Sequence, residues 1–254
     1  MADSITNFYD LLAEHYHLIF DDWEQAIQRQ ARVLNPLLAA QLGRGKLRIL
    51  DCACGIGTQA IGFARNGHRV VASDRSPAAI ARARREAAQR GVDISFQVAD
   101  MMRLPEIADA DFDVVAVLDN ALPHLSSAQV RQAVQTIASK LRRGGVFIAS
   151  IRDYDRLMIE KPTSQPPAFY GSEGARRIVH QVWDWTDDAV YVPHLYITLQ
   201  DGAGWTVHHF VSKYRCVQRA ELTKALEGAG FEEVRWLMPN ESGFYQPLVL
   251  ARRS

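Results

Sequence analysis

Residues 49–64, ILDCACGIGTQAIGFA, set a short apolar run, an acid, a turn of small residues and an amphipathic stretch in direct succession. That is strand, glycine turn, helix: the chain must reverse at the carboxyl end of a strand and lay a helix back over it. The rhythm then repeats. His68–Ala72 reads as a strand with Asp74 at its end, and Ser76 and Pro77 open a helix over 78–89 as N-cap and first-turn proline. Ile94–Val98 is a strand ending near Asp100 and Met101, and Phe112–Leu118 is apolar enough to be buried on both faces. A helix over 128–141, a turn at Arg143-Gly144-Gly145 and a strand over 146–151 complete the series. Strands separated by helices of about ten to fifteen residues imply right-handed parallel crossovers, hence an α/β fold with ligands beyond the carboxyl ends of the strands.

The flanks read differently. Residues 7–42 carry apolar and aromatic positions at helical spacing with a break expected at Pro36, and Tyr9, Tyr16 and Trp23, seven apart, fall on one helix face. They form either a core stripe or a lid over the ligand. After a Pro/Gly-containing connection at 153–175, the segments 177–185, 189–199 and 205–217 read as an antiparallel meander. A helix over 219–229, Gly230 as its C-cap and strands at 231–237 and 248–251 close the chain. The expected organisation is one domain over 1–254: a helical lid to residue 44, a core over 45–152, a substrate-side insertion over 153–217 and a closing segment over 218–254.

Charge narrows the partner. The 254 residues hold 29 Lys+Arg against 29 Asp+Glu, which argues against nucleic acid and for a small-molecule substrate. No stretch approaches the roughly 18 apolar residues of a membrane span, and no signal-like run follows the amino terminus. Three cysteines without pairing spacing read as reduced thiols, so the expected setting is cytoplasmic, without membrane or metal. A homo-oligomer is left open. The arginines at 82, 84, 85 and 90 read as the solvated face of their helix.

The acids at the strand ends choose the ligand. Asp51, just before the glycine turn, would repel a pyrophosphate but suits an ammonium or sulfonium, which favours S-adenosylmethionine over NAD. Gly55 and Gly57 admit close backbone approach, with N–H groups available to ligand oxygens. Asp74 is placed for ribose hydroxyls, and Asp100 with Met101 for the amino edge and face of adenine. Each acid alone could be a strand-end cap; three in succession favour the ligand.

On these motifs the chain resembles the class I S-adenosylmethionine-dependent methyltransferases over roughly residues 45–152. The resemblance implies a Rossmann-like seven-stranded, mostly parallel sheet with helices on both faces, here with an amino-terminal helical lid and an antiparallel meander insertion. It also implies backbone contacts to the cofactor from Ala53 and Leu118, with Tyr16 as an aromatic cover. LDNALPHL at 118–125 and IRDYD at 151–155 are similar to the LxNSxxHL and HRNYD segments of the glycine and sarcosine N-methyltransferases. That resemblance implies that Arg152 and Tyr154 hold a substrate carboxylate, that Asn120 lies beside the substrate and that His124 lines the site. Asp119, Ala121 and Pro123 depart from the pattern.

The residues themselves leave alternatives. Arg152 is a carboxylate fork or a surface arginine paired with Asp153 or Asp155. Asn120 contacts an amine or caps its strand. His124 is a catalytic base or a satisfied polar residue at a helix entrance. Symmetric turns in the meander place His180 opposite His194 and His209 opposite Tyr196, for cross-strand packing, substrate lining or metal binding. The expected activity is methyl transfer to a small amine bearing a carboxylate; alternatives are transfer to oxygen, carbon or a ring nitrogen of a specialised metabolite, or a regulatory protein with a degenerate fold.

Overall fold

A computed structural model describes residues 4–254; Met1–Asp3 of the amino-terminal segment lie outside the described residues. The chain opens with α1 (Ser4–Leu12), a 3-10 turn (Tyr16–Ile19) and α2 (Trp23–Leu42). The expected helix over 7–42 therefore breaks before Trp23 and not at Pro36. Asp22 starts a new helix by accepting from the Gln25 N–H at 3.0 Å. Pro36 sits on the exposed side, while buried Leu34 and Leu38 keep α2 packed through it.

The core alternates as expected: β1 (Arg48–Cys52), α3 (Thr58–Arg65), β2 (Arg69–Asp74), α4 (Pro77–Gln89), β3 (Ile94–Val98), β4 (Phe112–Val117), α5 (Ser127–Lys140) and β5 (Leu141–Ser150). Ser76 caps α4 and Pro77 occupies its first turn. Next come α6 (Tyr154–Glu160) and an antiparallel sheet of β6 (Ser164–Tyr170), β7 (Arg177–Asp187), β8 (Val190–Asp201), β9 (Gly204–Val211) and β10 (Tyr214–Arg215). The chain ends with α7 (Arg219–Gly228), β11 (Phe231–Leu237), α8 (Pro239–Ser242) and β12 (Leu248–Arg253).

The main sheet has seven strands in the order β11-β12-β5-β4-β1-β2-β3, with only β12 antiparallel to its neighbours. The strand order reverses between β1 and β4, so the crevice beyond their carboxyl ends is where such a sheet binds ligands. One apolar cluster covers each face of the sheet. A third joins α1 to the second sheet through Phe8, Leu12, Val179, Leu195, Ile197 and Phe210. The amino-terminal segment is thereby held over the crevice.

Three expectations about the insertion change. The connection at 153–175 contains α6 and β6. The third meander strand splits at Ser212 into β9 and β10. The β7–β8 turn sits at Asp188–Ala189 and not at 186–188, so His180 faces Tyr196 and His194 faces Val182; His209 does face Tyr196.

Candidate active site

β1 delivers Asp51 and Cys52 to the crevice, and the chain then turns through Ala53 (φ 63°), Gly55 (φ 54°) and Gly57 (φ 95°). Left-handed backbone at three of five positions aims α3 back over the sheet, and at Ala53 it costs about 1–2 kcal/mol. Ala53, Gly55, Asp74, Asp100, Met101, Leu118, His124 and Tyr16 all line one small cavity beyond β1, β2 and β4. Asp51 and Gly57 are not on its wall. Gly57 begins α3, and a Cβ there would press within 3.4 Å of Ile61. A Cβ at Gly55 would meet no atom within 4 Å, so the turn is open on the side where a ligand would lie.

The turn's amides do not face a ligand as expected. Gly55 donates to Asp74 Oδ2 at 2.9 Å, and Gly57 donates to the Cys54 carbonyl at 2.9 Å. Asp74 also accepts from the Ser76 N–H at 2.8 Å; each of its oxygens keeps a lone pair for a hydroxyl. Asp51 is 1% exposed, and among the described residues neither carboxylate oxygen has a well-formed hydrogen bond, the Ala60 backbone N–H giving only weak support. Burial, then the nearby Asp119 and Asp74, push its carboxyl well above the usual carboxylate range. A buried, unsatisfied acid beside two others is costly unless a cation is present.

A second, larger cleft of about 800 Å³ lies beside the first and shares Tyr9, Tyr16 and Asp119 with it. Asn120 (φ 67°) is 4% exposed on its wall; its amide oxygen accepts from the Arg152 N–H at 3.0 Å, and its nitrogen donates to the Tyr154 hydroxyl at 2.9 Å. The Arg152 guanidinium donates to the Tyr191 hydroxyl at 2.8 Å and lies over the Trp183 ring, 4.8 Å from its centroid. Among the described residues no carboxylate pairs with it. Asp153 and Asp155, the partners a surface reading would have given Arg152, pair with Arg219 at 2.6 and 3.3 Å.

Tyr154 is not at the substrate cleft. It is fully buried and lines neither cavity; its hydroxyl sits between Asn120 and, at 3.2 Å, the Tyr191 hydroxyl. It holds Asn120 and the arginine's phenol partner in place. Tyr9 supplies an unexpected contact: its hydroxyl meets His124 Nε2 at 2.7 Å, and burial raises the phenol's pKa well above its usual value. The seven-residue aromatic spacing singles Tyr9 out, but gives no reason to place it on a histidine 115 residues away. Trp23 goes elsewhere, donating to Thr58 Oγ1 at 2.9 Å beneath Arg90.

The arginines of α4 are not a free solvated face. Arg82 and Arg85 bind Glu14, and Arg90 binds Glu24. With Asp10 accepting from Ser76 Oγ at 2.5 Å, they fasten the amino-terminal segment over the cofactor-side cavity. The three cysteines are buried and free, burial raising their pKa values. Among the described residues there is no cluster of three or more His, Cys, Asp or Glu suited to a metal, and no helix long and apolar enough to cross a membrane.

The crevice lined by acids at the ends of β2, β3 and β4 coincides with a match to the methyltransferase domain over residues 49–145. By that match, residues 49–145 form a methyltransferase domain. Glycine N-methyltransferase of Homo sapiens is 29% identical over 196 residues, 70% of this chain but 66% of that protein, just short of two thirds of its length. Glycine/sarcosine N-methyltransferase of Parasynechococcus marenigrum is 31% identical over 138 residues, 54% of this chain and 48% of that one. The methyltransferase domain also shares its fold with S-adenosylmethionine-bound CalS10, an amino pentose methyltransferase from Micromonospora echinaspora: TM-score 0.73, 22% identity, covering 90% of this chain and 92% of that one. A buried acid at Asp51 behind the wall and a carboxylate with free lone pairs at Asp74 on it fit a cationic, ribose-bearing group, and such residues would hold S-adenosylmethionine.

Proposed function

We propose that the chain moves a methyl group from S-adenosylmethionine to the nitrogen of a small amine that also bears a carboxylate. The observation that carries this reading is Arg152: a guanidinium held by phenols and rings, without an acid, on the wall of a cleft that adjoins the cofactor cavity. A positive charge so placed is the natural fork for a carboxylate. When bound, the cofactor supplies an electrophilic methyl group. In this reading Asp51 takes its ammonium, Asp74 its ribose and Asp100 with Met101 its adenine, while Ala53, Gly55 and Leu118 lend backbone and Tyr16 covers it.

The chain's contribution to rate is then mainly alignment. Arg152 and Asn120 fix the acceptor so that its nitrogen points at the shared wall of the two cavities, converting a bimolecular encounter into a positioned one. The acceptor must present a lone pair, so a protonated amine is inert until it loses its proton; His124, buttressed by Tyr9, is the group placed to receive it.

A second reading keeps the amine and enlarges its carrier. It is favoured by the cleft, whose volume of about 800 Å³ and aromatic walls exceed what a glycine-sized molecule needs. CalS10, whose fold this chain shares, is an amino pentose methyltransferase. Calorimetric titration with S-adenosylmethionine, followed by a turnover screen of glycine, N-methylglycine and an amino pentose, tests both. Cofactor binding that Asp74→Ala weakens at least tenfold, with turnover of the amino acids, supports the first reading; no binding at millimolar cofactor would end both.

A further inference from the structure

Asp119 is the one acid that lines both cavities. It follows β4 in a left-handed conformation (φ 54°), and its backbone N–H is fixed by Ser150 Oγ at 2.9 Å. Its carboxylate accepts from the hydroxyl of Tyr245, a residue 55% exposed at the cleft's mouth. Among the described residues no lysine, arginine or histidine pairs with it. Asp119 is thus a fixed negative group at the boundary across which a methyl group must pass, with Arg152 as the positive group further along the acceptor cleft.

We propose that Asp119 is the specificity-determining anchor for the acceptor's nitrogen, pairing with the alkylammonium of the methylated product. This rests on the proposed transfer to a carboxylate-bearing amine. The nitrogen lone pair forms the new N–C bond as the S–C bond breaks and its electron pair stays on sulfur. The positive charge therefore leaves sulfur on the cofactor side and appears on nitrogen on the acceptor side. A carboxylate on the shared wall meets that charge in both positions without having to move, a preorganised arrangement whose value grows as water is excluded. A methylated oxygen or carbon that sheds a proton ends neutral and gains nothing from Asp119. The class favoured is a secondary or tertiary amino acid, whose product is a charged ammonium held between Asp119 and Arg152. Tyr245, by donating to Asp119, keeps the carboxylate turned toward the boundary.

The test uses the full chain saturated with S-adenosylhomocysteine and three probes followed by ligand-observed NMR: N,N,N-trimethylglycine, tetramethylammonium and acetate. Asp119→Asn is expected to weaken trimethylglycine and tetramethylammonium at least tenfold and acetate less than twofold. Arg152→Ala is expected to weaken trimethylglycine and acetate and spare tetramethylammonium. Asp119→Glu keeps the charge and retains part of the cation affinity, which separates loss of charge from loss of fold. If Asp119→Asn leaves trimethylglycine unchanged, or weakens S-adenosylhomocysteine as much as the probes, the anchor is wrong. If Arg152→Ala spares both carboxylates, it is the carboxylate reading that fails.

Discussion

The Tyr9 hydroxyl stands 2.7 Å from His124 Nε2, joining α1 to the short turn that follows β4. The ring of Tyr214 packs 4.3 Å from the imidazole on another side, so the histidine is held by elements from three parts of the chain. In the proposed role of proton acceptor, a ring so held would keep its orientation. His124→Ala is expected to lower kcat about 100-fold, within the range of general base catalysis, and Tyr9→Phe to lower it less. Steady-state kinetics with the best acceptor decides: unchanged kcat in His124→Ala would remove the histidine from the chemistry.

Arg152 yields a prediction about KM. Hydrogen bonds to charged groups are worth about 1.5–3 kcal/mol, so Arg152→Ala should raise KM for a carboxylate-bearing amine by about 10- to 100-fold. An amine without a carboxylate should show no such change. Arg152→Lys keeps the charge but loses the planar fork and the stacking on Trp183, and should rescue only part of the affinity.

Gly55 and Gly57 separate binding from folding. Gly55→Ala meets no neighbour, so its cost in stability is the left-handed backbone, about 1 kcal/mol, while its methyl group intrudes where the cofactor would lie. Calorimetry should find cofactor affinity reduced at least tenfold with a small shift in Tm. Gly57→Ala adds contact with Ile61 and Ala83 and should lower Tm more.

Glu24 links the amino-terminal clamp to pH. Hydrogen bonding to Arg65, together with Gln28 and Arg90, outweighs burial and holds its carboxyl at about 2, against 4.5 for the free group. A lowered folded pKa gives stability that is whole above 4.5 and fades as pH falls toward 2; partial exposure limits its size. Hydrogen exchange over α1 and the start of α2 should rise through that window, and Glu24→Gln should show the faster exchange already at neutral pH.

The parts of the fold that were legible are those fixed by neighbours in sequence. The run from Ile49 to Ala64 needs only its own residues to become strand, turn and helix, and Asp74 and Asp100 follow from the same repeat. β6 was hidden because Pro166 and Pro167 argue against a strand. They are tolerated at a sheet edge beside a break in register between Gln165 and Ala168. The histidine pairing slipped because the hairpin turns at Asp188–Ala189, inside what reads as the start of the second strand. Tyr154 was placed on the substrate by resemblance, while its burial depends on Tyr191, 37 residues away. Tyr9 and Asp119 acquire their importance from meeting a second element, which spacing along the chain does not encode.

The pairing of Arg219 with Asp153 and Asp155 gives the carboxyl-terminal helix a duty at a distance. Those two acids lie within three positions of Arg152 and would otherwise compete with any incoming anion for it. By occupying them, Arg219 acts as an insulator: the cleft's guanidinium is left with the neutral Tyr191 and Gln181 as partners, and in the proposed role an incoming anion would meet no competitor from those two acids.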